Sequence, residues 1–245
     1  MPPSDKAALR GEPSYVWRFG QTRRLDMIVR ALPIDARRIL VDGCGIGAYV
    51  KQLDDLGYNA TGLDVDIERV AEGAAAGVRQ LHVAVAERLP YADATFDALL
   101  SHEVIEHVND DRSAAREMLR VLRPGGRVIL FCPNRLYPFE THGHYWRGKY
   151  HFGNTPLINY LPDALRNKLA PHVRAYITRS LKKLFDDLPM RVIQRTVIFP
   201  GYDNVVARRP KLGRLLRAIT YTLERTPLRV FGLSHFWVIE KLAGD

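Results

Sequence analysis

The chain has 245 residues, 47% of them apolar and 26% charged, with a formal charge of +9. That length supports one sizeable α/β core, and the composition is that of an ordinary globular protein rather than a membrane-spanning or disulfide-framed one. No apolar stretch approaches the roughly 20 residues that cross a bilayer, and Met1–Lys6 lacks the apolar core of a signal peptide, so a cytoplasmic protein without a transmembrane segment is expected.

Tyr15 to Gly20, followed by Leu25, Ile28, Val29 and Leu32 at helical spacing, predicts an N-terminal arm and helix within residues 1–33, closed by Pro33. A strand at about 38–42 runs straight into Gly43-Cys44-Gly45-Ile46-Gly47. Its unbroken aliphatic run is the pattern of a strand buried on both faces. Glycines at alternate positions just beyond it let the backbone turn tightly and approach a ligand that side chains would exclude, as at a nucleotide-cofactor loop. A helix is expected at about 47–56, stopped by Gly57, and a second strand at about 60–64 ends in Asp64. An acid there is where an α/β nucleotide site places the carboxylate that accepts ribose hydroxyls.

Alternation continues with a helix at about 67–76, strands at about 80–84 and 96–100, a helix at about 110–122 and a strand at about 127–132. Pro124-Gly125-Gly126 is expected to turn the chain before that last strand. Such alternation predicts a parallel, doubly wound sheet. Cys44 and Cys132 have no near partner for a metal knuckle and read as buried thiols in a reducing compartment.

After Asn134 the chain becomes aromatic and histidine-rich from Leu136 to Phe152, beyond the carboxyl end of a strand. Open α/β sheets bind ligands at that edge, so residues 135–175 are a candidate lid or acceptor pocket. A basic helix at about 176–187, a β-rich run Arg191–Phe199, a second basic helical insertion at 203–232 and a last strand around Phe236–Ile239 complete the pattern. Charge divides the chain unevenly: residues 1–133 hold 17 Lys and Arg against 19 Asp and Glu, and residues 134–245 hold 19 against 8. Such a basic half suits nucleic acid, an anionic membrane surface or a phosphorylated substrate, and equally a solvated basic surface.

Ala86 to Ser101, Glu103-Val104-Ile105-Glu106-His107-Val108 and Leu119 to Val128, taken with the glycine loop and Asp64, closely resemble class I S-adenosylmethionine-dependent methyltransferases of the type 11 subgroup. The resemblance spans residues 37–134 and implies a single Rossmann-like domain over 1–245, with a seven-stranded, mostly parallel sheet and helical insertions after strand 5 and before the last strand. It also implies S-adenosylmethionine as cofactor. In the family, Gly43, Gly45 and Gly47 lie against the methionine and ribose portions and Asp64 binds the ribose diol. The acid usual two residues before the first glycine is Val41 here, and Asp42 stands one place later, from which it can reach the methionine amino group. Val85 stands where an acid often precedes Ala86, so the adenine amine is left to another acceptor, of which Glu87 is the nearest candidate, or to water. Val65 supplies apolar surface under the ring, and His102 is expected near the sulfonium.

Methyl transfer needs an aligned nucleophile and, for a hydroxyl, removal of its proton. Glu103-x-x-Glu106-His107 is expected to open a helix, with the three side chains on one turn. The element resembles the metal-binding group of ubiquinone-pathway O-methyltransferases and of small-RNA 2′-O-methyltransferases. On that reading Glu103, Glu106 and His107 hold a divalent cation, with His142 and His144 as further ligands. Without a metal, His107 is the first choice of general base, with Glu106 beside it. The leading reading is a small-molecule or lipid O-methyltransferase, whose apolar-basic segments such as Leu212–Arg217 are candidates for peripheral membrane contact. An RNA methyltransferase and a non-catalytic cofactor-binding module are the alternatives.

Overall fold

In the computed structural model, residues 16–243 are described, so the arm before Val16 lies outside them. Helix α1 (Phe19–Ala31) leads into β1 (Arg38–Asp42), α2 (Ala48–Asp55), β2 (Asn59–Asp64), α3 (Ile67–Ala75), β3 (Leu81–Val83), β4 (Phe96–His102), α4 (Asp111–Arg120) and β5 (Leu122–Pro133). An insertion then carries β6 (Phe139–Glu140), β7 (His144–Trp146), β8 (Lys149–His151), β9 (Thr155–Pro156) and α5 (Asp163–Leu169). Helix α6 (Thr178–Lys183), β10 (Met190–Ile198), α7 (Asp203–Arg208), α8 (Pro210–Leu223) and β11 (Ser234–Lys241) complete the chain.

The main sheet has seven strands in the order β10-β11-β5-β4-β1-β2-β3. Strands β1 to β5 run parallel, and β11 is antiparallel to both its neighbours. Both faces are covered, which is why the central strands are continuously apolar. Leu40, Leu99, Val128 and Trp237 pack on one side with α4 and α6, whereas Ile39, Leu100, Ile129 and Phe236 pack on the other with α1 and α2.

Three local expectations change. Pro124-Gly125-Gly126 is a bulge inside β5, because Phe96 pairs with Leu122 and Ala98 with Arg127. The insertion after β5 is mainly β rather than helical, built from the antiparallel pairs β6–β9 and β7–β8 with only α5 as a helix. Residues 103–109 form turns and bends instead of opening a helix. The helix start is Asp110, whose side chain accepts from the backbone N–H groups of Arg112 and Ser113. Val104, Ile105 and Val108 mimic helical periodicity, but they face the core from an irregular loop.

Candidate active site

At the carboxyl ends of β1, β2 and β4 lies a cavity of about 490 Å³. The strand-to-helix loop after β1 forms its floor, with Gly43 and Gly45 at φ +65° and +56°, a region costly for residues with a Cβ. A Cβ on Gly43 would stand 2.2 Å from Val104 Cγ2, so this position also keeps the β4 loop close. Gly47 departs from expectation: it does not line the cavity, and its added Cβ would meet Val78 at 2.8 Å. Its role is to turn the chain into α2, for which it is the left-handed N-cap residue.

Asp64 shapes the loop as well as facing the cavity. Its Oδ2 accepts from Gly45 N at 2.8 Å and its Oδ1 from Asp66 N at 2.8 Å, leaving a second lone pair on each oxygen. Asp42 lines the cavity too, and among the described residues neither carboxylate oxygen has a partner at good hydrogen-bond geometry, although the residue is 1% exposed. Burial, reinforced by the nearby Asp64 and Glu87 charges, pushes its pKa up to about 7. Val65 and Ala86 line the wall as expected. Glu87 lines it as well, but its Oε1 is bound by Asn109 N at 2.7 Å, which leaves Oε2 to face a ligand.

Toward β4 the expected group divides in two. His102 lines the cavity, but Nε2 accepts from Arg24 of α1, and burial followed by that guanidinium pulls its pKa down to about 3. It is therefore a neutral ring locked at a strand end, packed between Tyr49 and Phe131. Glu103 is drawn the same way: its Oε1 accepts from Ser234 Oγ at 2.7 Å and from Arg24 at 3.4 Å. Despite burial, Arg24 above all holds its pKa near 2. Glu103 also adopts φ +57°, a left-handed backbone conformation rare outside glycine.

Glu106, His107 and His142 come together, with one ligand atom of each within 4.8 Å of the others. Each is prepared to coordinate. His107 Nδ1–H donates to His172 O at 3.3 Å, so Nε2 carries the lone pair. His142 Nδ1–H donates to Glu140 Oε1 at 3.2 Å, which leaves its Nε2 3.9 Å from Glu106. Glu140 is in turn held by the buried Arg166 at 2.9 Å, and this chain of outer contacts fixes the His142 ring. Among the described residues neither Glu106 oxygen has a partner at good hydrogen-bond geometry, and burial next to the Glu103 charge raises its pKa well above the carboxylate range. Burial, then the His142 ring, lowers His107 to about 4. His144 does not join them: it bonds Thr155 Oγ1 at 3.0 Å and stacks on His151.

Residues 40–130 match a family model described as a methyltransferase domain. The match covers most of β5 together with the glycine loop, Asp64 and the Glu103–His107 element, which contribute to this cavity. Residues 40–130 of this chain therefore form a methyltransferase domain. An uncharacterized methyltransferase of Mycobacterium sp. is 37% identical over 107 residues, covering 43% of this chain and 42% of the relative. A malonyl-acyl-carrier-protein O-methyltransferase of Enterobacter lignolyticus is 33% identical over 139 residues, covering 54% and 55%. A ubiquinone biosynthesis O-methyltransferase of Dechloromonas aromatica is 31% identical over 124 residues, covering 46% and 51%. The chain thus spans about half the length of these relatives.

The methyltransferase fold extends further than the sequence match. A methyltransferase structure from Mesorhizobium loti superposes with TM-score 0.60 at 18% identity, covering 88% of this chain and 96% of its own. The 4+2 cyclase SpnF superposes equally well, TM-score 0.60 at 18% identity, covering 95% and 85%. The fold therefore hosts more than one chemistry, and function has to be argued from the site.

Sequence reasoning missed Arg24, Glu140, Arg166, His172 and Ser234. Glu140 alone left a signal, an acid two residues before His142 in a stretch otherwise aromatic and histidine-rich.

Proposed function

We propose that this chain is an S-adenosylmethionine-dependent O-methyltransferase acting on a small-molecule or lipid-like acceptor, assisted by a divalent cation at Glu106, His107 and His142. The observation that carries the reading is that one cavity holds both halves of the chemistry, with Asp42, Gly43 and Asp64 at one end and His107 and His142 at the other.

The residues fit the cofactor. Asp42 is a buried carboxylate lining a cavity, with no partner at good hydrogen-bond geometry among the described residues, and an ammonium such as that of a methionine moiety would satisfy it. Asp64 has lone pairs left for two adjacent hydroxyls, and Val65, 49% exposed beside it, offers apolar surface to a ring. The cofactor supplies an activated methyl on sulfur, so the protein's task is to align an acceptor oxygen and manage its proton. Trp17 and Gln21 before and in α1, and Thr141, His142 and Phe152 of the insertion, close the cavity from two sides and are its acceptor-facing elements.

The metal reading rests on chemistry of the donor set. Two imidazoles with free Nε2 atoms and one orphaned carboxylate suit a divalent cation. A cation held there lowers the pKa of an acceptor hydroxyl. His107 acting alone would be a weak base at neutrality, because its pKa lies near 4. The three O-methyltransferase or methyltransferase relatives support the reaction class, and their named acceptors belong to those proteins.

The test is calorimetric binding of S-adenosylhomocysteine to the wild type and Asp64→Ala, then titration of Mn²⁺ and Zn²⁺ into the wild type and His142→Ala. Micromolar S-adenosylhomocysteine binding, weakened at least ~100-fold in Asp64→Ala, is expected from the loss of two charge-assisted contacts. Metal binding that His142→Ala abolishes while S-adenosylhomocysteine binding persists supports the cation site. Absence of S-adenosylhomocysteine binding by folded wild type defeats the assignment, and metal binding indifferent to His142 defeats the cation.

A further inference from the structure

Helix α8 is amphipathic in the unusual sense. Gly213 is buried against Val206 of α7, and Arg217 and Tyr221 pack on α1 through Phe19 and Arg23. The opposite side carries Leu212, Leu215 and Ile219, spaced three and four apart on one outward stripe and between 41% and 56% exposed. The 3₁₀ turn Pro227–Phe231 packs against α8 and adds Leu228 and Phe231, 51% and 43% exposed. An outward apolar stripe continued by a second element is more than scattered surface leucines.

Cations surround this stripe. Residues 208–229 contain seven Lys and Arg and one acid, and that acid, Glu224, is bound to Arg23. Arg217 is committed to Asp203 at 2.9 Å, but Lys211, Arg214, Arg225 and Arg229 have no ion pair among the described residues. Apolar side chains flanked by uncompensated basic ones match an anionic bilayer surface, with the stripe entering the acyl boundary and the cations meeting headgroups. Nucleic acid would use the charge but leave the leucines in water.

The packed side of α8, opposite the stripe, is the side that reaches the reaction centre. Tyr221 of α8 lines a second cavity of about 170 Å³ that shares Gln21, Tyr49 and His102 with the larger one. We infer that the α8 face, from Leu212 to Phe231, docks peripherally on anionic lipid bilayers. This inference deepens the lipid-like acceptor reading, although docking itself does not require methyl transfer.

The full chain would be sedimented with vesicles of phosphatidylcholine alone and of phosphatidylcholine with phosphatidylglycerol, over a range of salt. Retention on the anionic vesicles only, falling with salt, is expected. Lys211→Ala with Arg214→Ala should weaken it roughly 30-fold. Leu215→Ser with Ile219→Ser should weaken it about tenfold or more, and thermal melts show whether both variants keep the fold. Vesicle binding that ignores lipid charge, or that survives both double variants, overturns the inference. So does retention on RNA without vesicle binding, or a dimer abolished by Leu215→Ser. S-adenosylhomocysteine binding measured on the same preparation separates the failures: cofactor binding without docking refutes only the membrane inference, and docking without cofactor binding refutes only the methyl-transfer reading.

Discussion

At the glycine-loop end of the cavity Asp64 is set by near neighbours in the chain, whereas at the β4 end Glu103 and His107 are set by segments far along it. Asp64 is oriented by Gly45 and Asp66, within 19 residues. By contrast, Glu103 is fixed by Ser234, 131 residues away, and by Arg24, 79 residues away, while His107 is fixed by His172, 65 residues away. A local motif thus suffices for a cofactor loop, but the acceptor side exists only once the insertion has folded over β4. Stability of the second end hangs on groups that touch no ligand.

Arg166 offers the largest test of that difference. It is 1% exposed, and it holds Glu140 at 2.9 Å and Val173 O at 2.8 Å. Arg166→Met should cost about 3 to 5 kcal/mol by leaving Glu140 buried without its cation, read by chemical denaturation, and should weaken metal binding while S-adenosylhomocysteine binding of the remaining folded protein persists. Equal loss of both ligands would erase the distinction between the two ends.

Asp42 sharpens the comparison from the other side. Its pKa is raised from 3.8 to about 7, so the folded state holds a proton that the unfolded chain releases. Its contribution therefore favours the folded protein at acid pH and is lost as pH rises from about 4 to 7. His102 and His107, lowered to about 3 and 4, have the opposite sign and favour the neutral range. Comparing wild type with Asp42→Asn isolates the aspartate: the variant should gain roughly 2 to 4 kcal/mol relative to wild type between those limits, yet bind S-adenosylhomocysteine more weakly. A difference between the two proteins that does not vary with pH would show that Asp42 is not the buried acid described here.

The smallest expected effect belongs to His144. Bonded to Thr155 and stacked on His151, it is turned from the cluster, so His144→Ala should change metal affinity by less than about twofold. A larger loss by calorimetry would bring His144 into the metal shell.

Much of the fold was legible because strands β1, β4 and β5 carry aliphatic runs buried on both faces. Gly43, Gly45, Asp64 and Asp42 were legible because backbone approach and paired hydroxyls demand those residue types at a strand end. The Glu103–His107 element was readable as chemistry but not as geometry. Val104, Ile105 and Val108 carry helical spacing in a loop, and nothing local reveals that Arg24 and Ser234 engage Glu103.

What the sequence by itself determined was the sheet, the glycine loop and the acids at the strand ends, since these follow from periodicity and short-range backbone constraints. Tertiary structure alone decided that His142 rather than Glu103 or His144 completes the cluster, and that Leu212, Leu215 and Ile219 face outward. Those choices depend on which distant cation, carbonyl or helix arrives beside each group, and pairing across a hundred residues leaves no periodic trace in the chain.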